Sequence, residues 1–208
     1  MTGATSGVGK ELAQILFSHN AKVYIGARSK GKAVEVIKQI KAQFPLSKGD
    51  IIFLYLDLED LTTIKKSVED FLSKEEKLDV LWNNAGVMGP VPGLKTKQGY
   101  ELQLGTNTVA PFLFTKLLTP ILIRTAKSSP SGSVRVIWVS SSAAELLTPP
   151  GGLDANNLDH IHEKSFPHIY GVSKAGNVVH SKEYAQLYKP DGIVSLVGDL
   201  LTSHEKSC

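Results

Sequence analysis

The sequence predicts a doubly wound α/β fold, in which one parallel sheet lies between two layers of helices. Short apolar runs alternate along the chain with segments whose apolar residues recur at helical spacing, and this alternation is typical of strand–helix–strand units. The apolar runs are continuous, which indicates strands that are buried on both faces. The chain has 208 residues and no recognisable linker. We therefore expect one domain over residues 1–208.

Five apolar runs predict the strands of this sheet. They lie at 21–27, 50–58, 78–86, 133–142 and 192–198. Polar residues or glycines bound each run, as is usual where strands end.

The segments between the strands carry helical stripes of apolar residues. One stripe consists of Ala33, Val36, Ile37, Ile40 and Phe44, and the next consists of Leu61, Ile64, Val68, Phe71 and Leu72. Two longer helices are predicted near 98–126 and 168–188. Residues 143–166 are rich in Pro, Gly and Asn, which predicts a loop.

The composition excludes several function classes. The net charge is only +3 and no long stripe of Lys or Arg is present, which argues against nucleic-acid binding. Neither a signal peptide nor a membrane span is expected. The single cysteine is Cys208, and such sparse cysteine usage fits a reducing compartment. We expect a cytoplasmic protein.

A glycine-rich turn opens the chain as "MTGATSGVG" and runs directly into a helix. Gly3, Gly7 and Gly9 give the spacing T-G-x-x-x-G-x-G. Glycine allows a sharp turn and lets a pyrophosphate come close, while the N-terminus of the following helix offers free N–H groups and a partial positive charge. The turn predicts a dinucleotide site, and a tight turn without a ligand is the alternative.

The end of the run 21–27 indicates which dinucleotide is bound. An NAD site usually carries an acidic residue there for the ribose 2′-hydroxyl, but the chain has no Asp or Glu between Leu12 and Val34. Arg28 stands there instead, with Lys30 and Lys32 nearby. A guanidinium suits a 2′-phosphate, so the sequence favours NADP, with a solvated, basic helix start as the alternative.

Four residues predict the chemistry of hydride transfer. Tyr170 and Lys174 are four residues apart in "YGVSK", which places them on one helical face. A phenol is a poor acid or base at neutral pH, and a neighbouring ammonium lowers its pKa. Ser141 would polarise the substrate oxygen, and Asn107 would order a water that links Lys174 to solvent. Asp57 would accept a hydrogen bond from the adenine amino group.

Taken together, these motifs resemble the short-chain dehydrogenase/reductase family. The pieces "TGATSGVG", "GAR", "LDL", "NNAG", "GTNTVAPF", "VSS" and "YGVSK" occur in the family's order between residue 2 and about residue 197. The resemblance implies a Rossmann-type α/β/α sandwich, with Tyr170 as the general acid/base, Lys174 as its tuner, and Ser141 and Asn107 completing the tetrad. Ser140 and Ser142 are the alternative alignments of the catalytic serine.

The resemblance also implies a cofactor site and a substrate class. The implied cofactor-binding residues are Gly3, Thr5, Ser6, Gly7, Val8, Gly9, Arg28, Asp57, Leu58, Asn84, Ala85, Gly86, Tyr170 and Lys174. "GARS" and the long spacing from Ser141 to Tyr170 look like the retinol-dehydrogenase-like branch and its fungal relatives. That branch implies NADP and a small, apolar carbonyl or alcohol as substrate. The helices near 98–126 and 168–188 would form a homo-oligomer, as is common in the family.

The chain departs from the family pattern at both ends. Only Met1 precedes Thr2, where the family has a central strand of about five or six residues. After residue 197 the family's Pro-Gly turn, substrate-covering segment and last strand are missing. Losing three or four buried apolar side chains removes roughly 5–12 kcal/mol, which is comparable to the whole stability of a domain. We expect the chain as written to be marginally stable or inactive.

Three other interpretations remain. A truncated, catalytically inactive relative would keep the fold for binding or regulation. A nucleotide-sugar epimerase also uses Y-x-x-x-K, but that group prefers the spacing G-x-x-G-x-x-G. A metal site would use His160, His162, His168 and Glu163, but their spacing matches no structural zinc pattern. We expect no metal.

Overall fold

The computed structural model describes residues 1–89, 93–149, 151–152, 161 and 164–199. Its strands are β1 (Lys22–Ala27), β2 (Asp50–Tyr55), β3 (Val80–Asn83), β4 (Arg135–Ser140) and β5 (Val194–Asp199). Its helices are α1 (Gly7–Ser18), α2 (Lys30–Gln43), α3 (Leu61–Leu72), α4 (Leu102–Leu104), α5 (Ala110–Lys127), α6 (Ala143–Leu146) and α7 (Phe166–Tyr188), with a π-helical turn at Gly105–Val109.

All strand pairs in the described part of the chain are parallel, which confirms the predicted α/β class. β1 pairs with β2, and β4 lies between β3 and β5. Parallel neighbours need crossover connections, and helices supply them between β1 and β2 and between β4 and β5. The strands are shorter than the apolar runs because residues such as Leu56–Leu58 and Asn84–Gly86 leave the sheet to line a cleft.

The sheet is divided into a two-stranded and a three-stranded part. Among the described residues, no strand lies between β1 and β3, and only Met1–Gly3 bridge them. Gly26 N donates to Met1 O (2.9 Å), Gly3 N donates to Gly26 O (3.0 Å), and Thr2 N donates to Trp82 O (2.9 Å). A cavity of about 430 Å³ continues along the gap. Trp82 is only half-buried because it lines this gap.

Two hydrophobic clusters make up most of the core, and both include residues of the β1–β2 part of the sheet. The smaller cluster joins α1, α2 and β1 through residues such as Phe17, Ile25 and Ile40. The larger cluster centres on β3 and β4 and includes Phe114 and Trp138. The helical stripes pack into these clusters as predicted, except that Leu72 is 40% exposed at the end of α3.

The predicted helix at 98–126 is correct in its main part but begins later and is not regular throughout. Residues 97–99 form a turn, and the helix starts at Leu102. At the π-helical turn, Ala110 N donates to Gly105 O, while Pro111 has no N–H to give to the Asn107 carbonyl. This turn therefore departs from α-helical bonding.

The stretch Leu102–Lys127 is long and apolar enough to cross a membrane by length and composition, which the sequence analysis did not anticipate. Half of it is buried inside the fold. Phe114, Leu118 and Leu122 point into the larger core cluster, so the apolar character of this helix is explained by core packing.

The predicted loop at 143–166 is wrong at both of its ends. Residues Ala143–Leu146 form α6, because Ser141 Oγ accepts a hydrogen bond from Ala143 N (3.3 Å) and starts the turn. Helix α7 begins at Phe166, two residues earlier than predicted, because Pro167 fits the first helical turn without a lost hydrogen bond. Most of the intervening loop lies outside the described residues.

Candidate nucleotide and catalytic site

The glycine turn is fastened to the end of β3 by reciprocal hydrogen bonds. Thr2 Oγ1 accepts from Asn84 N (3.0 Å) and Ala85 N (2.9 Å). Asn84 Nδ2 donates to Thr2 O (3.0 Å) and Gly3 O (3.2 Å). The two segments that the sequence analysis assigned to the cofactor therefore meet. Thr2 was not among the predicted site residues, although it precedes the glycine motif directly.

The three glycines of the turn are required for different reasons. Gly3 and Gly7 have positive φ angles of 68° and 53°. A Cβ at Gly3 would lie 2.6 Å from Ala85 Cα, and one at Gly9 would lie 2.5 Å from Gly3 O. A Cβ at Gly7 would meet nothing within 4 Å. Gly3 and Gly9 thus permit close backbone packing, whereas Gly7 only supplies a left-handed backbone conformation.

A cleft of about 430 Å³ extends from this turn along the carboxyl ends of β1, β2 and β3. One end is formed by Thr5, Ser6 and Val8, where α1 begins. Ser6 gives α1 no side-chain cap, so the first amide groups of the helix are available to an anion. The size of the cleft falls in the range of small-molecule sites. Its glycine-lined floor and amide groups fit the diphosphate and adenosine of a dinucleotide.

The other end of the cleft is lined by both acidic and basic residues. Arg28 and Lys32 lie there, as predicted for a 2′-phosphate, and so do Asp57 and Glu59. The Arg28 guanidinium donates a hydrogen bond to the Glu59 carboxylate. Asp57 Oδ1 accepts from Glu59 N (3.0 Å). Glu59 was not among the predicted site residues; it is 31 positions from Arg28 and is brought beside it by the pairing of β1 and β2.

Tyr170 and Lys174 lie on the same face of α7. Lys174 Nζ is 5.7 Å from the centroid of the Tyr170 ring. Lys174 is buried, and its Nζ donates to Val139 O (3.0 Å). Burial lowers the pKa of this ammonium from 10.5 to about 8, because a desolvated charge is disfavoured. The Lys174 side chain therefore remains largely protonated at neutral pH.

The three serines at the carboxyl end of β4 occupy different environments. Ser140 is buried, and its Oγ donates to the Lys174 carbonyl (2.9 Å), so it ties β4 to α7. Ser141 is only half-buried at the carboxyl end of β4, and Ser142 is the N-cap residue of α6. Of the three, Ser140 has the environment of a structural residue.

Asn107 is fully buried and joins the loop after β3 to α7. Its Oδ1 accepts from Val87 N (2.7 Å), and its Nδ2 donates to Val87 O (2.9 Å) and Ser173 Oγ (3.0 Å). A Cβ at Gly86 would lie 3.2 Å from Asn107 Oδ1 and 3.3 Å from Lys174 Nζ. Gly86 also lines the cleft, so the cleft and the Lys174 ammonium meet at this glycine.

All four predicted catalytic residues are among the described residues, and so are the predicted cofactor residues. Of the three predicted glycines of the turn, Gly3 and Gly9 line the cleft and Gly7 does not. The metal alternative falls on His160, His162 and Glu163, which lie outside the described residues. In the described part of the chain, no three His, Cys, Asp or Glu side chains converge as metal ligands.

Comparisons with known proteins agree on one family. The model of the family described as short chain dehydrogenase matches residues 1–151. A short-chain dehydrogenase/reductase of Phomopsis amygdali is 57% identical over 198 residues, which is 94% of this chain and 59% of the relative. The relative pkfC of Emericella nidulans is 52% identical over 201 residues, which is 96% of this chain and 64% of the relative. The chain thus spans about three-fifths of the length of these curated relatives.

Solved structures show the same fold. The Pseudomonas aeruginosa RhlG/NADP active-site complex superposes with a TM-score of 0.72 at 25% identity, over 98% of this chain and 73% of that one. A short-chain dehydrogenase from Sphingobium yanoikuyae in complex with NADPH gives a TM-score of 0.71 at 21% identity, over 95% of this chain and 67% of that one. An NADH-dependent reductase, A1-R', gives 0.71 at 21% identity, over 92% of this chain and 71% of that one.

Proposed function

Because this chain belongs to the short-chain dehydrogenase/reductase family, we propose that it is an NADP-dependent oxidoreductase whose substrate is a small, apolar carbonyl compound or alcohol. The observation that carries this proposal is the buried Lys174 ammonium, 5.7 Å from the Tyr170 ring and next to Gly86 in the cleft lining. Arg28 and Lys32, which line one end of the same cleft, support the choice of NADP over NAD.

The bound nicotinamide would supply or accept the hydride. In the direction of reduction, the Tyr170 hydroxyl gives its proton to the substrate oxygen, and in oxidation the Tyr170 phenolate takes that proton back. The Lys174 ammonium favours the phenolate electrostatically and lowers the cost of this exchange. Ser141 donates a hydrogen bond to the same substrate oxygen. It is the half-buried serine at the end of β4, whereas Ser140 is engaged by the Lys174 carbonyl.

Asn107 would act mainly by positioning. Its amide bonds the backbone of Val87 through both the N–H and the carbonyl. It also reaches Ser173, one residue before Lys174. These contacts fix the loop that carries Gly86 against α7, so the cofactor wall and the Tyr170–Lys174 pair keep one relative geometry. Such preorganisation is worth more in a buried site than in water.

The remaining assignments concern the cofactor and the assembly. We infer that the glycine turn, Asn84 and Ala85 hold the diphosphate, and that Asp57 and Leu58 flank the adenine. We infer that residues 1–208 act as one nucleotide-binding unit, because the cleft lining comes from both parts of the sheet. Phe112, Val178 and Val179 are exposed on α5 and α7, and these apolar side chains favour a homo-oligomer through the two helices. Light scattering at several concentrations tests this assembly.

Turnover assays test the proposed chemistry. NADPH consumption is followed with a panel of apolar aldehydes and ketones, and NADP⁺ reduction with the matching alcohols. We expect Tyr170→Phe to lower kcat by about 10²–10⁴-fold with unchanged NADPH affinity, because only the proton donor is lost. Tyr100→Phe is the matched control, since Tyr100 is exposed and does not line the cleft.

The outcome also separates the two main candidate functions. Wild-type activity that survives Tyr170→Phe would contradict the proposed role of the phenol. If NADPH binds with no turnover of any substrate in either direction, the non-catalytic interpretation, a protein that keeps the fold for binding or regulation, replaces the proposal.

A further inference from the structure

We propose that Glu59 is a specificity-determining residue of the cofactor site, and that its carboxylate competes with the cofactor 2′-phosphate for Arg28. The proposal rests on the proposed function, because it assigns the adenosine end of the cleft to NADP. It predicts that this chain discriminates less strongly between phosphorylated and unphosphorylated dinucleotides than Arg28 alone would allow.

The contact between Glu59 and Arg28 is built into the cleft wall. Both residues line the cleft, and the guanidinium donates directly to the carboxylate. The Arg28 side chain is 63% exposed and that of Glu59 is 31% exposed, so Arg28 can turn toward solvent or a ligand while Glu59 is more confined. An incoming phosphate therefore meets an arginine that already has an anionic partner.

The backbone of Glu59 is fixed on both sides. Its N–H donates to Asp57 Oδ1 (3.0 Å), and its carbonyl accepts from Lys97 N (3.0 Å). The next residue, Asp60, is buried and its carboxylate accepts from Lys97 Nζ (2.7 Å) and Gln98 Nε2 (3.2 Å). Glu59 therefore cannot move away with its chain segment when Arg28 changes partner, and its negative charge stays at the ligand end of the cleft.

The two cofactors meet this carboxylate differently. A 2′-phosphate must take Arg28 from Glu59 and then remain close to the Glu59 charge, which repels it. A free 2′-hydroxyl leaves the Arg28–Glu59 pair intact and offers the carboxylate a donor. Lys32 lies at the same end and attracts the phosphate, which is why the competition reduces the preference for NADP without reversing it.

Fragments of the cofactor test this inference without any turnover. Adenosine 2′,5′-bisphosphate and 5′-AMP differ only in the 2′-phosphate and lack the nicotinamide. Their dissociation constants are measured by calorimetry on the full chain and on the Glu59→Gln and Glu69→Gln variants. Glu69 is the matched control, because it carries the same charge on the exposed face of α3, where it pairs with Lys65.

We expect Glu59→Gln to bind the bisphosphate roughly 1.4- to fivefold more tightly, which is the range that the loss of an exposed competing ion pair supplies. Binding of 5′-AMP should stay the same or weaken slightly, because the glutamine carbonyl oxygen still accepts from the 2′-hydroxyl but without the charge. Glu69→Gln should change the binding of neither fragment. The gain should shrink as salt is added, because screening weakens both the pair and the repulsion. Glu59→Asp, which draws the carboxylate back from Arg28, should give a smaller gain.

Each contrary result has a distinct meaning. Unchanged or weaker bisphosphate binding in Glu59→Gln would overturn the competition and make Glu59 a residue that orients Arg28 for the phosphate. An equal change for both fragments would also overturn it. If the wild type binds neither fragment, while its melting shows a folded protein, the proposed nucleotide function fails and the Glu59 proposal fails with it. An Arg28→Ala variant that keeps full preference for the bisphosphate would show that Arg28 does not bind the 2′-phosphate, and it would overturn the competition for Arg28 as well.

Discussion

Replacing Gly3 by alanine should destabilise the fold more than the same change at Gly7. Both residues have left-handed backbone conformations, which cost an alanine about 1–2 kcal/mol. At Gly3 the new Cβ would in addition lie 2.6 Å from Ala85 Cα and 2.9 Å from Ala85 Cβ. Overpacking of this kind costs about 1–3 kcal/mol. We therefore expect a loss of about 2–5 kcal/mol for Gly3→Ala and about 1–2 kcal/mol for Gly7→Ala.

Urea unfolding of the two variants and of Gly31→Ala measures this difference. Gly31 lies in the first turn of α2, has no positive φ angle, and a Cβ there meets nothing within 4 Å. Gly31→Ala should thus stabilise the protein by about 0.4–1 kcal/mol. In thermal melts, 1 kcal/mol corresponds to roughly 2–4 °C for a chain of this size. The midpoint of Gly3→Ala should fall by roughly 4–20 °C, and that of Gly7→Ala by roughly 2–8 °C.

The comparison is decisive because the three substitutions add the same methyl group. If Gly3→Ala is no less stable than Gly7→Ala, the close contact between the glycine turn and the end of β3 does not constrain the fold. If Gly31→Ala is destabilised as well, the losses report a general intolerance to alanine and not the local geometry.

Three further results are expected. Burial lowers the Lys174 pKa to about 8, so the buried charge penalises folding fully below that pH and ceases to do so as the pH rises toward 10.5. The free energy of unfolding of the wild type should therefore rise relative to that of Lys174→Met between pH 8 and 10. A difference that does not change with pH would contradict this. Asp60→Ala should lower the melting temperature more than Asp70→Ala. Asp60 caps α3 and accepts from Lys97 and Gln98, whereas Asp70 makes an exposed pair worth about 0.3–0.5 kcal/mol. Equal effects would argue against a stabilising role for the bonds of Asp60 to Lys97 and Gln98. Ser140→Ala should lower the free energy of unfolding in urea by about 1–3 kcal/mol, because the Lys174 carbonyl loses its donor. Ser141→Ala should lower kcat with little loss of stability. The reverse pattern would exchange the roles of the two serines.

The sequence was most informative where one local pattern determines the structure. Continuous apolar runs predicted the strands, and the four-residue spacing of Tyr170 and Lys174 predicted their common face on α7. The glycine motif predicted the turn, since Gly3 and Gly7 do have positive φ angles. The roles proposed for these residues in catalysis and cofactor binding remain predictions that the assays above test.

Contacts between distant segments could not be predicted in the same way. Glu59 pairs with Arg28 because β1 and β2 end side by side, and nothing in either local sequence specifies that partner. Asn107 in the π-helical turn bonds Val87 and Ser173, which are 20 and 66 positions away in the chain. Propensity within a single segment carries no information about such partners.

The cleft and the division of the sheet depend on the same few residues. Met1–Gly3 carry backbone hydrogen bonds from the glycine turn to β1 and to β3, and Thr2 Oγ1 receives the amides of Asn84 and Ala85. A dinucleotide that contacts Gly3, Ala85 and Arg28 would therefore bind both parts of the sheet at once. Such a ligand at one hundred times its dissociation constant adds about 2.7 kcal/mol of stability. That is less than the roughly 5–12 kcal/mol that a central strand's buried side chains would contribute, so such a ligand would reinforce the junction between the two parts without matching the contribution of a strand there.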